Sequence, residues 1–87
     1  MAELSVVIVF PTTHLTLQAE KSLEKAGVDY RTVMKPRKIS SDCGLAIRID
    51  PQALSNSREA LLKDGNVPAR FFREMEGRWE RIEELKT

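Results

Sequence analysis

The segment that decides the fold is residues 34–49, which read MKPRKISSDCGLAIRI. Pro36 disfavours helical geometry at the residue before it and begins a polar loop. After Cys43 and Gly44, residues 45–49 alternate in polarity so that three aliphatic side chains share one face. This alternation predicts a strand over 45–49 preceded by a loop over 35–44, whose exposed tip would place Cys43 where another protein could reach it.

Upstream of this segment the sequence predicts a strand, a helix and a second strand. Residues 6–10 form an apolar run rich in β-branched side chains, which is typical of a buried strand. Thr12 or Thr13 can cap the following helix, whose apolar face repeats at helical spacing until Gly27 ends it. Residues 28–34 then alternate as a second strand.

Downstream the sequence predicts a second helix and a fourth strand. Asp50 and Pro51 are a helix-start pair, a capping carboxylate followed by proline at the first helical position. Leucines 54, 61 and 62 give this helix an apolar side, although the polar residues 55–57 are a weak helix interior. Gly65 closes the helix, and residues 69–75 predict the fourth strand.

The C-terminal residues allow two interpretations. Glu76 and Gly77 can form a hairpin turn that leads into an edge strand over residues 78–82. Alternatively, Met75, Trp79 and Ile82 have the spacing of a terminal helix. The hairpin is favoured because glycine destabilises a helix interior.

The order strand, helix, two strands, helix, strand predicts a single α+β domain over residues 1–87. Right-handed crossovers around both helices give a two-layer, ferredoxin-like βαββαβ sandwich, with an extra C-terminal edge strand if the hairpin forms. An 87-residue chain has a modest core and no room for a deep substrate cavity of its own. No acid/base pair or nucleotide-binding loop is visible, so we expect no autonomous enzyme.

Composition narrows the classes of partner. The net charge of +1 disfavours nucleic acid and gives no general attraction to a membrane surface. The N-terminal apolar run is too short to span a bilayer and has no basic region before it. One cysteine excludes an internal disulfide, and one histidine leaves too few ligands for a typical zinc site. We expect a reducing, cytoplasmic setting, no cofactor and no metal.

The lone cysteine is the residue to which chemistry is most easily assigned. Cys43 lies on a polar loop downstream of three cations, Lys35, Arg37 and Lys38. An unperturbed cysteine is only about 3% thiolate at pH 7, and nearby positive charge increases that fraction. Arg37 and Lys38 can supply such charge, whereas the carboxylate of Asp42 opposes it. The alternative is an inert cysteine packed under a turn.

Two further features of the loop could assist the thiolate. The backbone N–H groups from Ser40 through Ser41 to Gly44 could form an anion-holding nest. Gly44 suits either a positive φ angle or the close approach of a partner's backbone.

The sequence also resembles a known family. A strand ending in residues 10–14, FPTTH, a helix containing residues 19–21, AEK, and residues 36–46, PRKISSDCGLA, are similar to the selenium/sulfur carrier protein-like family. These are small, mostly bacterial domains, formerly classed as a domain of unknown function. The resemblance is specific over residues 6–49 and looser beyond them.

The resemblance implies a sulfur carrier of selenium or sulfur metabolism. Its reactive cysteine, Cys43 here, would hold the chalcogen as a persulfide or selenosulfide, at most a sulfurtransferase-type role. A protein donor such as a cysteine desulfurase would load it, and a protein acceptor would unload it. A homodimer paired through an exposed sheet edge stays open.

Two other readings remain. In the first, the chain is a non-catalytic, ferredoxin-like interaction or regulatory module, and Cys43 is incidental. In the second, the chain is an RNA-binding domain of similar topology, which the near-neutral charge disfavours.

Overall fold

A computed structural model describes residues 5–86 and shows an α+β domain. Five strands form one antiparallel sheet in the order β2-β3-β1-β4-β5. The strands are β1 Val6–Val9, β2 Tyr30–Met34, β3 Leu45–Ile49, β4 Ala69–Met75 and β5 Arg78–Leu85. The helices are α1 Thr13–Lys25 and α2 Leu54–Lys63, and the one-turn 3₁₀ helix Pro51–Ala53 precedes α2.

The C-terminal hairpin is confirmed, and it adds β5 beside β4 at the edge of the sheet. Its turn has positive φ at Glu76 (51°) and at Gly77 (78°), a backbone that glycine adopts at low cost. The five-strand order therefore differs from a four-strand ferredoxin-like sheet. The terminal helix considered for this segment is absent from the described residues, because β5 continues to Leu85.

The other elements agree with the sequence patterns except at their ends. Thr12 is the N-cap of α1, since its side chain accepts a hydrogen bond from the backbone N–H of Leu15 at 3.1 Å. Polar residues 55–57 do not break α2. Leu62, expected on the apolar side of α2, is 48% exposed, and the second strand begins at Tyr30 rather than at residue 28.

Successive strand residues point to opposite faces of the sheet, and the two faces are covered by different parts of the chain. On one face, both helices pack over the main apolar core, which includes Val6, Ile8, Phe10, Leu23, Leu61 and Phe71. On the other face, a smaller cluster contains Val7, Val9 and Ala46, and the buried partner that completes it is Ile39 from the β2–β3 loop. Within residues 5–86, no helix is long and apolar enough to cross a membrane.

A polar network joins the C-terminal end of α1 to the residues after α2. The hydroxyl of Ser22 donates to a carboxylate oxygen of Asp64 at 2.6 Å and accepts a hydrogen bond from the amide of Asn66. The ammonium of Lys25 lies 3.3 Å from the same carboxylate oxygen. The Ser22 hydrogen bond, together with Lys25, lowers the pKa of Asp64 below its ordinary value.

This network makes the free energy of unfolding depend on the pH of the solution. Because the pKa of Asp64 is lower in the folded state, its contribution is complete above the unfolded-state pKa and disappears as the pH falls through the folded-state pKa. We expect Asp64→Asn to be less stable than wild type at neutral pH and to lose less stability on acidification. Urea unfolding at a series of pH values measures both effects.

Asp29→Asn, at an exposed position, is the matched control and should keep the wild-type pH dependence. An Asp64→Asn variant whose free energy of unfolding changes with pH as steeply as that of wild type would contradict this assignment.

Candidate functional site

The sulfur of Cys43 lies among polar groups of the first turn of α1 and the start of β3. Its Sγ is 3.3 Å from the hydroxyl of Thr16 and 3.7 Å from that of Thr13. It also lies 3.4 Å from the backbone nitrogen of Leu45 and 3.5 Å from the carbonyl oxygen of Leu45. Cys43 belongs to neither apolar cluster formed by the described residues. A buried sulfur surrounded in this way has donors that can hold negative charge.

The prediction that Cys43 lies outward on an exposed loop tip is wrong. The residue is only 2% exposed and its thiol is free. The physical reason is twofold: the thiol packs against the first turn of α1, at Thr13 and Thr16, and the β2–β3 loop, residues 35–44, does not project from the sheet. It folds back, and Ile39, also 2% exposed, packs against the sheet face that has no helix.

Hydrogen bonds to the sheet fasten this loop. The ammonium of Lys38 donates to the carbonyl of Gly77 in the β4–β5 turn at 3.0 Å. The guanidinium of Arg70 on β4 donates to the carbonyl of Ser40 at 2.7 Å. The loop therefore contacts the sheet face at several points besides Ile39.

Ser41 connects the loop backbone at Cys43 to β1. Its hydroxyl donates to the carbonyl of Phe10 at 3.0 Å and accepts a hydrogen bond from the backbone N–H of Cys43 at 3.2 Å. Phe10, which directly follows β1, is fully buried. The position of Cys43 is thus fixed from the sheet through Ser41 and from α1 through the threonines.

Opposing effects set the acidity of the thiol. Burial raises the pKa of Cys43, because a charged sulfur is poorly solvated away from water. Hydrogen bonds from Thr16, the Leu45 N–H and Thr13, together with the positive charge of Lys35, more than offset this effect. The pKa of Cys43 therefore lies below its ordinary value, which increases the thiolate fraction near neutral pH.

The other predicted site residues have different roles, and none of their side chains is among the contacts of the sulfur. The Lys38 ammonium is directed to the β4–β5 turn, and Arg37 and Asp42 are exposed. The cation whose charge acts on the sulfur is Lys35, whose ammonium also donates to the carbonyl of Ile39 at 2.5 Å. No anion-holding nest is among the sulfur's contacts: the backbone N–H that reaches it is that of Leu45.

Gly44 does not have a positive φ angle, so that interpretation of the glycine is wrong. A Cβ atom built there would meet nothing within 4 Å. Gly44 is exposed directly beside Cys43, and this leaves room for another molecule to approach the backbone at that point.

Sequence reasoning missed Thr13 and Thr16. They contact a residue about 30 positions away, and no local pattern reports such a contact. One indication was available: the two threonines are three residues apart at the start of a helix, so they share one face. Thr16 is fully buried, which is unusual for threonine unless its hydroxyl has a partner.

Among residues 5–86, no group of three or more histidine, cysteine, aspartate or glutamate side chains could hold a metal ion. The candidate site is therefore described by the thiol, the two threonines, Leu45 and Lys35.

Comparison with known proteins gives one match. The family model described as "Putative Se/S carrier protein-like" matches residues 5–73. No curated protein and no solved structure matches the chain. The matched range includes Cys43 and all of its contacts described above. The chain belongs to the Se/S carrier protein-like family.

Proposed function

We propose that this protein carries sulfur or selenium on Cys43, as a persulfide or selenosulfide, and passes it between partner proteins. The observation that carries the proposal is a buried thiol set among hydrogen-bond donors instead of apolar side chains. Such an environment stabilises a thiolate, the form of cysteine that reacts. Family membership supports the same role. The scaffold in this proposal is a ferredoxin-like sandwich extended by β5.

Loading requires one sulfur-transfer step. The Cys43 thiolate attacks the terminal sulfur of a persulfide on a donor such as a cysteine desulfurase. A new S–S bond forms at Cys43, the donor's S–S bond breaks, and the donor cysteine leaves as a thiolate. The electrons balance without an external oxidant, and the transferred sulfur keeps its proton. Delivery to an acceptor protein follows the same exchange in reverse.

Transfer also requires access to the sulfur. In this structure Cys43 is only 2% exposed, so a partner cannot reach the sulfur without a movement of the chain. The loop over residues 35–44 is the element that can open, because side-chain hydrogen bonds and one buried isoleucine hold it to the sheet. The exposed, unobstructed backbone at Gly44 offers the point where a partner can approach. The side chains of Arg37 and Asp42, in the same loop as Cys43, are exposed and would contact that partner.

Burial of Cys43 favours a second candidate function. A cysteine that is 2% exposed can be a packing residue, and the chain would then be an interaction or regulatory module. In that case Cys43→Ala leaves function intact, whereas changes on the exposed sheet surface do not.

The carrier proposal is tested by loading. The protein is incubated with a cysteine desulfurase and cysteine, and its intact mass is measured. We expect wild type to gain one sulfur atom, which a thiol reductant removes, because Cys43 is the only thiol in the chain. Selenocysteine in place of cysteine shows whether selenium is accepted.

Cys43→Ser is the matched control, since it keeps a polar group of similar size at the site. No sulfur on wild type, or equal addition to Cys43→Ser, would reject the carrier function and leave the interaction module.

Loop opening makes a separate prediction. Arg70→Ala removes the hydrogen bond to the Ser40 carbonyl, and a bond of this kind contributes about 1 kcal/mol. We expect Cys43 of this variant to react with iodoacetamide roughly fivefold faster than wild type, because the loop opens more often. The measurement is the rate of mass gain under native conditions.

Arg58→Ala is the control: it removes an arginine that pairs with Glu83 at 3.5 Å, away from the loop. Equal alkylation rates for Arg70→Ala and Arg58→Ala would show that opening of this loop does not limit access.

A further inference from the structure

The Thr16 hydroxyl has two possible acceptors within reach but only one proton to donate. It lies 3.1 Å from the carbonyl oxygen of Thr12 and 3.3 Å from the sulfur of Cys43. A hydroxyl has one proton to donate and two lone pairs that accept. It can therefore donate to only one of these two atoms at a time, and the protonation state of the sulfur decides which.

With a neutral thiol, the Thr16 hydroxyl donates to the Thr12 carbonyl. The Cys43 S–H then donates to the Thr16 oxygen or to the Leu45 carbonyl, both within reach. With a thiolate, the sulfur can only accept. The Leu45 N–H already points to it, and the Thr16 hydroxyl can rotate to donate as well.

The rotation leaves no backbone group unsatisfied. The Thr12 carbonyl also accepts the backbone N–H of Thr16 at 3.1 Å, so it keeps a partner after the hydroxyl turns away. Thr16 is fully buried, so no water competes for its proton. The Thr13 hydroxyl lies 3.7 Å from the Cys43 sulfur, but Thr13 is exposed, and this exposure weakens the effect of its hydroxyl on the sulfur.

We propose that Thr16 is a positioning residue for chalcogen transfer: its hydroxyl turns from the Thr12 carbonyl to the Cys43 sulfur and holds the thiolate ready for attack. This inference rests on the proposed function and names a residue of the same site. The charged group that acts on the sulfur from the loop side is Lys35. On α1, the ionisable side chain of His14 is exposed and contacts Gln18, not the sulfur.

The test is a pH titration of the single cysteine in Thr16→Val. Valine has nearly the shape of threonine and lacks the hydroxyl. The ionisation of Cys43 is followed by the ¹³C chemical shift of its Cβ atom, which needs no access to the buried sulfur. We expect the ratio of thiolate to thiol at a given pH to fall roughly tenfold, the effect of losing one hydrogen bond to an ionised group.

Thr16→Ser keeps the hydroxyl and should titrate nearly as wild type does, which a purely structural role of Thr16 would not predict. Thr32→Val is the matched control: it removes an exposed threonine hydroxyl that donates to Glu20, and it should leave the Cys43 titration unchanged. Circular dichroism confirms that each variant is folded.

Identical titrations for Thr16→Val and wild type would overturn the proposal, and so would an equal shift in Thr16→Val and Thr16→Ser. The titration uses no sulfur donor. Failure of persulfide loading with an intact Thr16 effect rejects the carrier function alone, whereas normal loading without a Thr16 effect rejects only the role of Thr16.

Discussion

The packing of the β2–β3 loop against the sheet fixes the path of the chain that leads into the candidate site. Both helices lie on one face of the sheet, so the opposite face would expose Val7, Val9 and Ala46 to water. Ile39 covers them together with partly buried side chains of β2, β4 and β5, and burying one isoleucine contributes about 1.5–3 kcal/mol. The same loop carries Cys43 at its far end. The sulfur itself contacts the first turn of α1, so the loop is held to the helix-free face of the sheet by Ile39 and to α1 by Cys43.

A thiol that is both buried and acidified needs its own explanation, since these properties usually oppose each other. Burial alone would keep the sulfur neutral and inert. Here the threonine hydroxyls, the Leu45 N–H and the Lys35 charge replace the water that burial removes. Enclosure limits contact with oxidants, which attack exposed thiolates most readily. In the function proposed here, a carrier that waits between donor and acceptor benefits from both properties.

The limits of sequence reasoning follow from the range of the contacts involved. Strands 45–49 and 69–75 were predicted with their observed ends, because alternation and turn residues are local. The Cys43 thiol itself could be picked out as the only one in the chain. Its burial could not be predicted, because polar loops usually lie on the surface and the burial depends on two tertiary contacts, that of Cys43 with α1 and that of Ile39 with the sheet. Ile39, the single aliphatic residue in a polar loop, was the available indication that the loop folds back.

The contacts of the sulfur and the contacts of the loop lie on different parts of the fold, and this difference matters for how the site can work. The sulfur's hydrogen-bond partners lie on α1 and β3, which the main core and the sheet ladder hold in place. The contacts of residues 38–40 are exposed hydrogen bonds and one small apolar cluster, which open at lower cost than a core. Cys43 is only two residues before β3. In the opening that we propose, the hydroxyls on α1 and the Leu45 N–H stay in position, whereas Lys35 belongs to the loop and moves with it.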